Sequence, residues 1–441
     1  MSTTNLAQKT KTQLIDRILG KKTGSGASVV TVAQRKTPRT SIPEAFTRFD
    51  RHPEYERMKM TQAAASRLGV TNPFFREHDG VAGATTRIDG KEFINFSSYN
   101  YLGLAGHPQV NQAAKEAVDH YGTSASASRL VAGERPIQRE LEVAVAGLYG
   151  VEDCVVFVSG HATNVSTIGC LFGAKDLVIH DSLIHNSVLQ GIQLSGATRR
   201  SFPHNDTTAL DQILTDIRGQ FERVLIVAEG LYSMDGDLCD LPTLVDIKRR
   251  HKAFLMVDEA HTLGVVGATG RGIHEHYGIQ GDAVDIWMGT FSKTLAGCGG
   301  YIAGQAALIE HLKYAAPGFV YSVGLAPPLA AASLAALRIM LQEPERVARL
   351  RERGQRFLEL MQSSGIDTGF AQGFAVIPAI VGSSLKAARL SSQMFDAGIN
   401  VQPIIYPAVE ERSARLRFFL SAMHSEQQLQ RVQEVMKKLG N

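Results

Sequence analysis

Cysteine is scarce in this 441-residue chain, with four residues, and tryptophan is scarcer, with one. Cys154, Cys170, Cys239 and Cys298 lie far apart, with no CxxC pair and no histidine at ligand spacing. That excludes a disulfide framework, gives no reason to expect a metal site, and leaves isolated thiols suited to a reducing cytoplasm. Net charge is small as well. Lys plus Arg number 46 against 43 Asp plus Glu, a formal +3, which excludes strong whole-chain attraction to nucleic acid. The surplus is local. Residues 1–45 hold Lys9, Lys11, Arg17, Lys21, Lys22, Arg35, Lys36 and Arg39 against Asp16 and Glu44, and the rest of the chain is mildly acidic. Long apolar runs are also missing. The longest, LAPPLAAASLAAL at 325–337, is interrupted by Pro327 and Pro328. It is too short to span a bilayer and reads as a buried helix. The N-terminus has no apolar stretch of the kind a signal peptide needs.

What is present is ample core material: 44% hydrophobic residues with 20% charged, in a chain long enough for two or more layers. Residues 1–45, rich in Lys, Thr, Ser, Gly and Gln, read as a flexible basic arm, with one short amphipathic helix around Leu14, Ile15, Ile18 and Leu19 or as a docking segment. Residues 46–105 form a mixed N-terminal segment. From 106 to 325, helical stretches such as 134–150 and 240–251 alternate with short apolar runs, DCVVFVSG, DLVIHD, RVLIVAEG, AFLMVDEA and DIWMGTFSK. Apolar runs without alternation are strands buried on both faces, and strands alternating with helices make a parallel α/β sheet. Residues 326–441 read as a smaller α+β domain, with strands at FAVIPAIVG, INVQPIIYP and RLRFFLSA and a final helix.

Each apolar run ends in polar residues that a strand does not require. DCVVFV leads to Ser159, Gly160, His161 and Asn164; DLVIHD to His185; RVLIVAEG to Ser233; AFLMV to Asp258, Glu259 and His261; DIWMG to Thr290, Ser292 and Lys293. Ligands of open parallel sheets bind beyond the carboxyl ends of the strands. SGHATN starts a helix whose amides can hold a phosphate. An Asp after a buried strand is costly unless it meets a cation, such as a protonated pyridine nitrogen. His261 can bond an oxygen on that ring, His185 can stack on its face, Thr290 can touch its phosphate, and Lys293 can form an imine with its aldehyde. These are the parts a pyridoxal phosphate site needs. Singly each has a plainer reading: a structural histidine, an Asp capping a helix, a solvated lysine. Their succession along five strand ends favours the cofactor.

Here the chain resembles the PLP-dependent α-oxoamine synthases of the aspartate aminotransferase fold, fold type I. The family includes 8-amino-7-oxononanoate synthase, 2-amino-3-ketobutyrate CoA ligase, 5-aminolevulinate synthase and serine palmitoyltransferase. The resemblance spans about residues 46–438 and rests on NYLGL, SRLVAG, SGHATN, HDSLIHNSV, FPHND, EGLYSMDGD, VDEAHTLGVVGATGRG, GTFSKTLAGCGGY and ARLRFFLSAMH. It implies a large PLP-binding domain at 106–325 and a small C-terminal domain at 326–441, with 46–105 contributing to the small domain and to dimer contacts. Lys293 would join the cofactor as an imine and move the Cα proton. Asp258 would pair with the ring nitrogen, His261 with the ring oxygen, and His185 would stack on the ring. The Gly160 and His161 backbone, Ser233 and Thr290 would hold the phosphate side, with Ser322 reaching in from a neighbouring subunit. Arg417 would fork onto the amino-acid carboxylate, and Asn100 and Ser128 would lie near substrate.

The implied activity is a decarboxylative Claisen condensation of a small amino acid with an acyl thioester, giving an α-amino ketone, CO2 and free thiol, in a cytoplasmic homodimer with a shared active site. Two departures stand out. Many members carry an aromatic residue at the position of His161, and members using acyl-CoA often have a glycine-rich stretch where this chain has GTSASASRLVAG. With the basic arm, that wording is similar to synthases of polyketide assembly lines and favours an acyl carrier protein over CoA as thioester donor. The alternatives are an acyl-CoA-dependent synthase, transamination on the same fold, and an assembly-line module that keeps only the fold. No nucleic acid, no membrane span and no metal is expected.

Overall fold

The computed structural model describes residues 41–67 and 72–440. The helix expected around Leu14–Leu19 lies outside the described residues. The chain parts into two compact units after Arg67. The first contains a helix, Pro53–Arg67, preceded by single turns at Glu44–Phe46 and Phe49–Arg51.

The larger unit opens with a hairpin, β1 (Thr85–Ile88) and β2 (Lys91–Asn95). Its centre is a seven-stranded sheet of β3 (Asp153–Phe157), β4 (Leu177–Asp181), β5 (Thr198–Phe202), β6 (Val224–Glu229), β7 (Phe254–Asp258), β8 (Ile286–Thr290) and β9 (Gly300–Gly304). The spatial order is β3-β9-β8-β7-β6-β4-β5. The run from β8 to β5 is parallel, and β9 alone is antiparallel to its neighbours β3 and β8. Every residue of β4, β6, β8 and β9 is buried, as unalternating apolar strands covered on both faces must be. Helices Gly160–Leu171, Asn186–Ser195, Thr207–Ile217 and Leu241–His251 follow β3, β4, β5 and β6. The β6–β7 register pairs Glu229 with Asp258, and the β7–β8 register pairs Asp258 with Met288, so the strand ends finish on one edge.

Two smaller sheets complete the unit. β11 (Ile399–Asn400) joins β2 in parallel, which ties residues 85–95 to the C-terminal region. β10 (Val376–Ile380), β13 (Arg415–Phe419) and β12 (Gln402–Ile404) form an antiparallel sheet with β13 in the middle. The apolar run at 325–337 is helical as expected, within Pro327–Gln342, with Pro327 at the first helical position where its missing N–H costs nothing. INVQPIIYP is not one strand but two short ones, β11 and β12, separated by Val401. Among the described residues no helix is long and apolar enough to cross a membrane.

Candidate active site

The strand ends open into a cavity of about 340 Å³ lined by Gly160, His161, His185, Ser233, Asp258, His261, Thr290, Lys293 and Arg417. Nine residues singled out in the sequence therefore meet in one place. A second cavity, about 360 Å³, shares Tyr99, Ser292 and Lys293 with the first and is lined by Asn100.

Ser159 caps the helix Gly160–Leu171, its Oγ accepting from the Ala162 amide. The first two amides of the helix, those of Gly160 and His161, have no acceptor within the helix, and both residues line the cavity. A Cβ on Gly160 would lie 2.9 Å from Thr290 Oγ1, and one on Gly300 would lie 2.8 Å from Gly160 Cα. Glycine at both positions lets the helix start sit against β8 and β9. Thr290 Oγ1 donates to the Gly299 carbonyl at 2.8 Å and accepts from the Ser292 amide at 3.2 Å. The His161 imidazole is exposed, its Nε2 2.9 Å from Gln190 Oε1 and its ring edge-on to that of His185 with centroids 6.3 Å apart.

Asp258 ends β7 and is buried. Its Oδ1 accepts from the Ala260 amide and its Oδ2 from Asn164 Nδ2, both at 3.0 Å. The other hydrogen of that amide goes to Ser187 Oγ at 2.9 Å, and Ser187 Oγ lies 2.7 Å from His185 Nδ1. The Ser187 amide also donates to Nδ1, at 3.3 Å, so His185 carries its proton on Nε2. Burial holds the His185 pKa below the usual imidazole value against the pull of Asp258. His261 is held from behind by Tyr101, whose Oη lies 2.7 Å from His261 Nδ1. Burial drives His261 well below the ordinary value, so it is neutral, with one hydrogen shared between Tyr101 Oη and Nδ1.

Lys293 follows β8 and lies half-buried beside the Tyr99 ring, its Nζ 5.5 Å from the ring centroid. Burial pulls its ammonium down to about 8, although Asp258 and Glu229 favour the charge. A lysine so tuned has a neutral fraction able to act as base or nucleophile. Arg417 sits in the middle of β13, its guanidinium 4.4 Å from the Phe419 ring centroid. Its Nη1 donates to the Ser233 carbonyl at 3.1 Å, while Nε is buried with no partner. A half-buried guanidinium with a buried, unused donor fits a carboxylate-bearing ligand.

Three expected residues sit elsewhere or are committed. Asn100 Nδ2 donates to Ala82 O at 2.7 Å and Ala105 O at 3.3 Å, and Oδ1 accepts from the Ala105 amide, so its amide shapes the wall. Ser128 and Ser322 share a separate cavity of about 500 Å³ and do not reach Lys293 of their own chain. Ser128 is kept there by the wide turn Arg129–Gly133 and by Arg129, which pairs with Glu134 and the fully buried Glu142. Tyr101, Ser187 and Glu229 were not singled out from the sequence, and Asn164 was named at its strand end without a role. Glu229 had the same signal as Asp258, an acid closing an apolar strand. Tyr101 and Ser187 lay inside the quoted motifs with nothing local to mark their partners.

The set fits pyridoxal phosphate: amides and a threonine for an anion, a buried carboxylate for a ring N–H, a flat imidazole, and a depressed lysine amine. The family model for aminotransferase class I and II matches residues 91–436. The chain is 40% identical over 353 residues to 8-amino-7-oxononanoate synthase of Symbiobacterium thermophilum, covering 80% of this chain and 90% of that one. It is 40% identical over 364 residues to 8-amino-7-oxononanoate synthase of Geobacter sulfurreducens, covering 82% and 92%. Among solved structures it is similar to the Sphingomonas wittichii serine palmitoyltransferase, with a TM-score of 0.84 at 29% identity over 88% of this chain and 97% of that chain. A structure of SPT with PLP gives a TM-score of 0.83 at 28% identity over the same shares. With the family model covering most of the chain and the relatives covered almost end to end, this protein belongs to the class I and II aminotransferase family, in its α-oxoamine synthase branch.

Proposed function

We propose that this protein condenses a small amino acid with an acyl thioester, releasing CO2 and free thiol and forming an α-amino ketone. The observation that carries the reading is that Lys293, Asp258 and Arg417 line one cavity, with the lysine pulled down to about 8 and the arginine holding an unused donor. Pyridoxal phosphate held there would supply an aldehyde reactive toward amines and a protonated ring that draws electrons from the neighbouring carbon. The chain's residues do the rest. Arg417 holds the amino-acid carboxylate. Asp258 keeps the proton on the ring nitrogen, and Asn164 keeps Asp258 in place. Lys293, when neutral, takes the Cα proton and returns it. His185, neutral with Nε2 protonated, offers a donor to oxygens in the cavity, and His261 is neutral too. The relatives named 8-amino-7-oxononanoate synthase and serine palmitoyltransferase support acyl transfer over transamination.

An acyl carrier protein is the favoured thioester donor, supported by GTSASASRLVAG and the basic residues of 1–45. The enzyme works as a homodimer in which Ser322 serves the site of a second copy, in line with its lining a cavity other than that of Lys293 in its own chain. The test measures free thiol and CO2 from glycine, alanine and serine with the same acyl group on carrier protein and on CoA. Equal release of thiol and CO2, faster from the carrier, is expected. Preference for CoA overturns the carrier assignment, and amino-group transfer to the cofactor without thioester overturns the condensation.

A further inference from the structure

Glu229 ends β6 directly opposite Asp258 at the end of β7. Both are buried, with 3% and 4% of their surface exposed, and both line the Lys293 cavity. Two carboxylates this close and this dry cannot both hold a full charge without a strong penalty. Their partners break the symmetry. Asp258 has a donor on each oxygen, the Ala260 amide and Asn164 Nδ2. Glu229 Oε2 accepts from the Ser233 amide at 3.2 Å, whereas Oε1 is buried with no partner at all. A bare oxygen is costly on an anion, while a hydroxyl at that place needs only an acceptor, which a cavity ligand or water provides. The His185 amide lies close enough to lower the Glu229 pKa, so this one side chain sits between the turn after β4 and the turn after β6.

We propose that Glu229 is a positioning residue that holds a proton at Oε1 in the resting enzyme, sitting between the His185 and Ser233 turns while leaving Asp258 as the anion that meets the ring nitrogen. The groups facing it are Asp258 from β7, Lys293 from the turn after β8, and the Ser233 and His185 amides; Arg417 bears on Ser233 from β13. Burial first, then the charge of Asp258, pushes the Glu229 carboxyl up to about 8, against the amides and Lys293. The neutral acid is therefore the form present at neutral pH.

The kinetic part rests on the acyl-transfer reading; the protonation state does not. The experiment compares holoenzyme and Glu229→Gln by infrared difference spectroscopy across pH 6–9.5, with Glu259→Gln as control because Glu259 is also buried and pushed up to about 8. Expected are two protonated-carboxyl components at neutral pH, one lost in Glu229→Gln and retained in Glu259→Gln, the other lost only in Glu259→Gln, with the Glu229 component fading in the wild type as pH passes about 8. Glutamine keeps shape and neutrality, so kcat/KM at pH 7 stays within about 3-fold, while Glu229→Ala loses about 30-fold or more. Absence of the Glu229 component, or a fall of about 100-fold in Glu229→Gln with cofactor still bound, overturns the proposal. If no protein condenses the substrates, the acyl-transfer reading falls and that component alone decides the proton.

Discussion

Asn164 Nδ2 lies 3.0 Å from Asp258 Oδ2, both side chains buried beneath the cavity floor. The same amide reaches Ser187, and through it His185. The carboxylate and the imidazole expected to hold the cofactor ring are thus tied together by one asparagine. Asn164→Ala removes a hydrogen bond to a charged group, typically about 1.5–3 kcal/mol, so cofactor affinity is expected to fall about 10- to 100-fold. Equilibrium titration of apoprotein with cofactor, followed by absorbance, checks this.

Tyr101→Phe removes the hydroxyl behind His261. The imidazole stays neutral because burial sets that, but the hydrogen bond at Nδ1 is lost. We expect kcat to drop about 10-fold with the amino-acid KM little changed. Steady-state kinetics at saturating thioester separates the two.

How much of this was legible in the chain follows from particular elements. β4, β6, β7 and β8 were readable because burial on both faces leaves an unbroken apolar run. β5, TRRSF, was not: it is the edge strand, and Arg199, Arg200 and Ser201 face solvent. β9, GYIAG, was hidden by its glycines, one of which is required by the close approach of Gly160. In the site, Lys293, Asp258, His261 and His185 stood out because each is polar where a strand needs nothing polar. Tyr101 was invisible because its partner lies 160 residues away, and only folding brings them together.

Arg417 is the cavity's guanidinium, with Nε free and the ring of Phe419 beneath it. Arg417→Lys keeps the charge but loses the planar fork. The amino-acid KM is expected to rise about 10- to 100-fold, and Arg417→Ala to raise it further, with thioester KM nearly constant. Initial rates with each substrate varied in turn are the check.

His204 bridges two buried aspartates, Nδ1 3.0 Å from Asp181 and Nε2 2.9 Å from Asp237. Burial opposes its charge, but the bonds and charges of Asp181 and Asp237 outweigh that and raise its pKa to about 10. Its folded pKa lies above the unfolded one, so its contribution is complete below about pH 6.5 and is lost as pH rises through 10. His204→Gln is expected to destabilise the fold by about 2–3 kcal/mol at pH 6, less than for a wholly enclosed pair, with the deficit closing towards pH 10. Urea unfolding at the two pH values measures it.

Lys293 titrates in the opposite sense. Its folded pKa, about 8, lies below the ordinary lysine value of 10.5, so between these the unfolded chain binds more protons and stability rises with pH. Apoprotein should gain up to about 3 kcal/mol over that window relative to Lys293→Met, and chemical denaturation across the pH range reads the difference.

The most direct measurement is reduction of the holoenzyme with borohydride followed by peptide mapping. The phosphopyridoxyl group should sit on the peptide containing Lys293 and be absent when that residue is methionine. A holoprotein labelled at another lysine, or not labelled with cofactor in excess, would contradict the account.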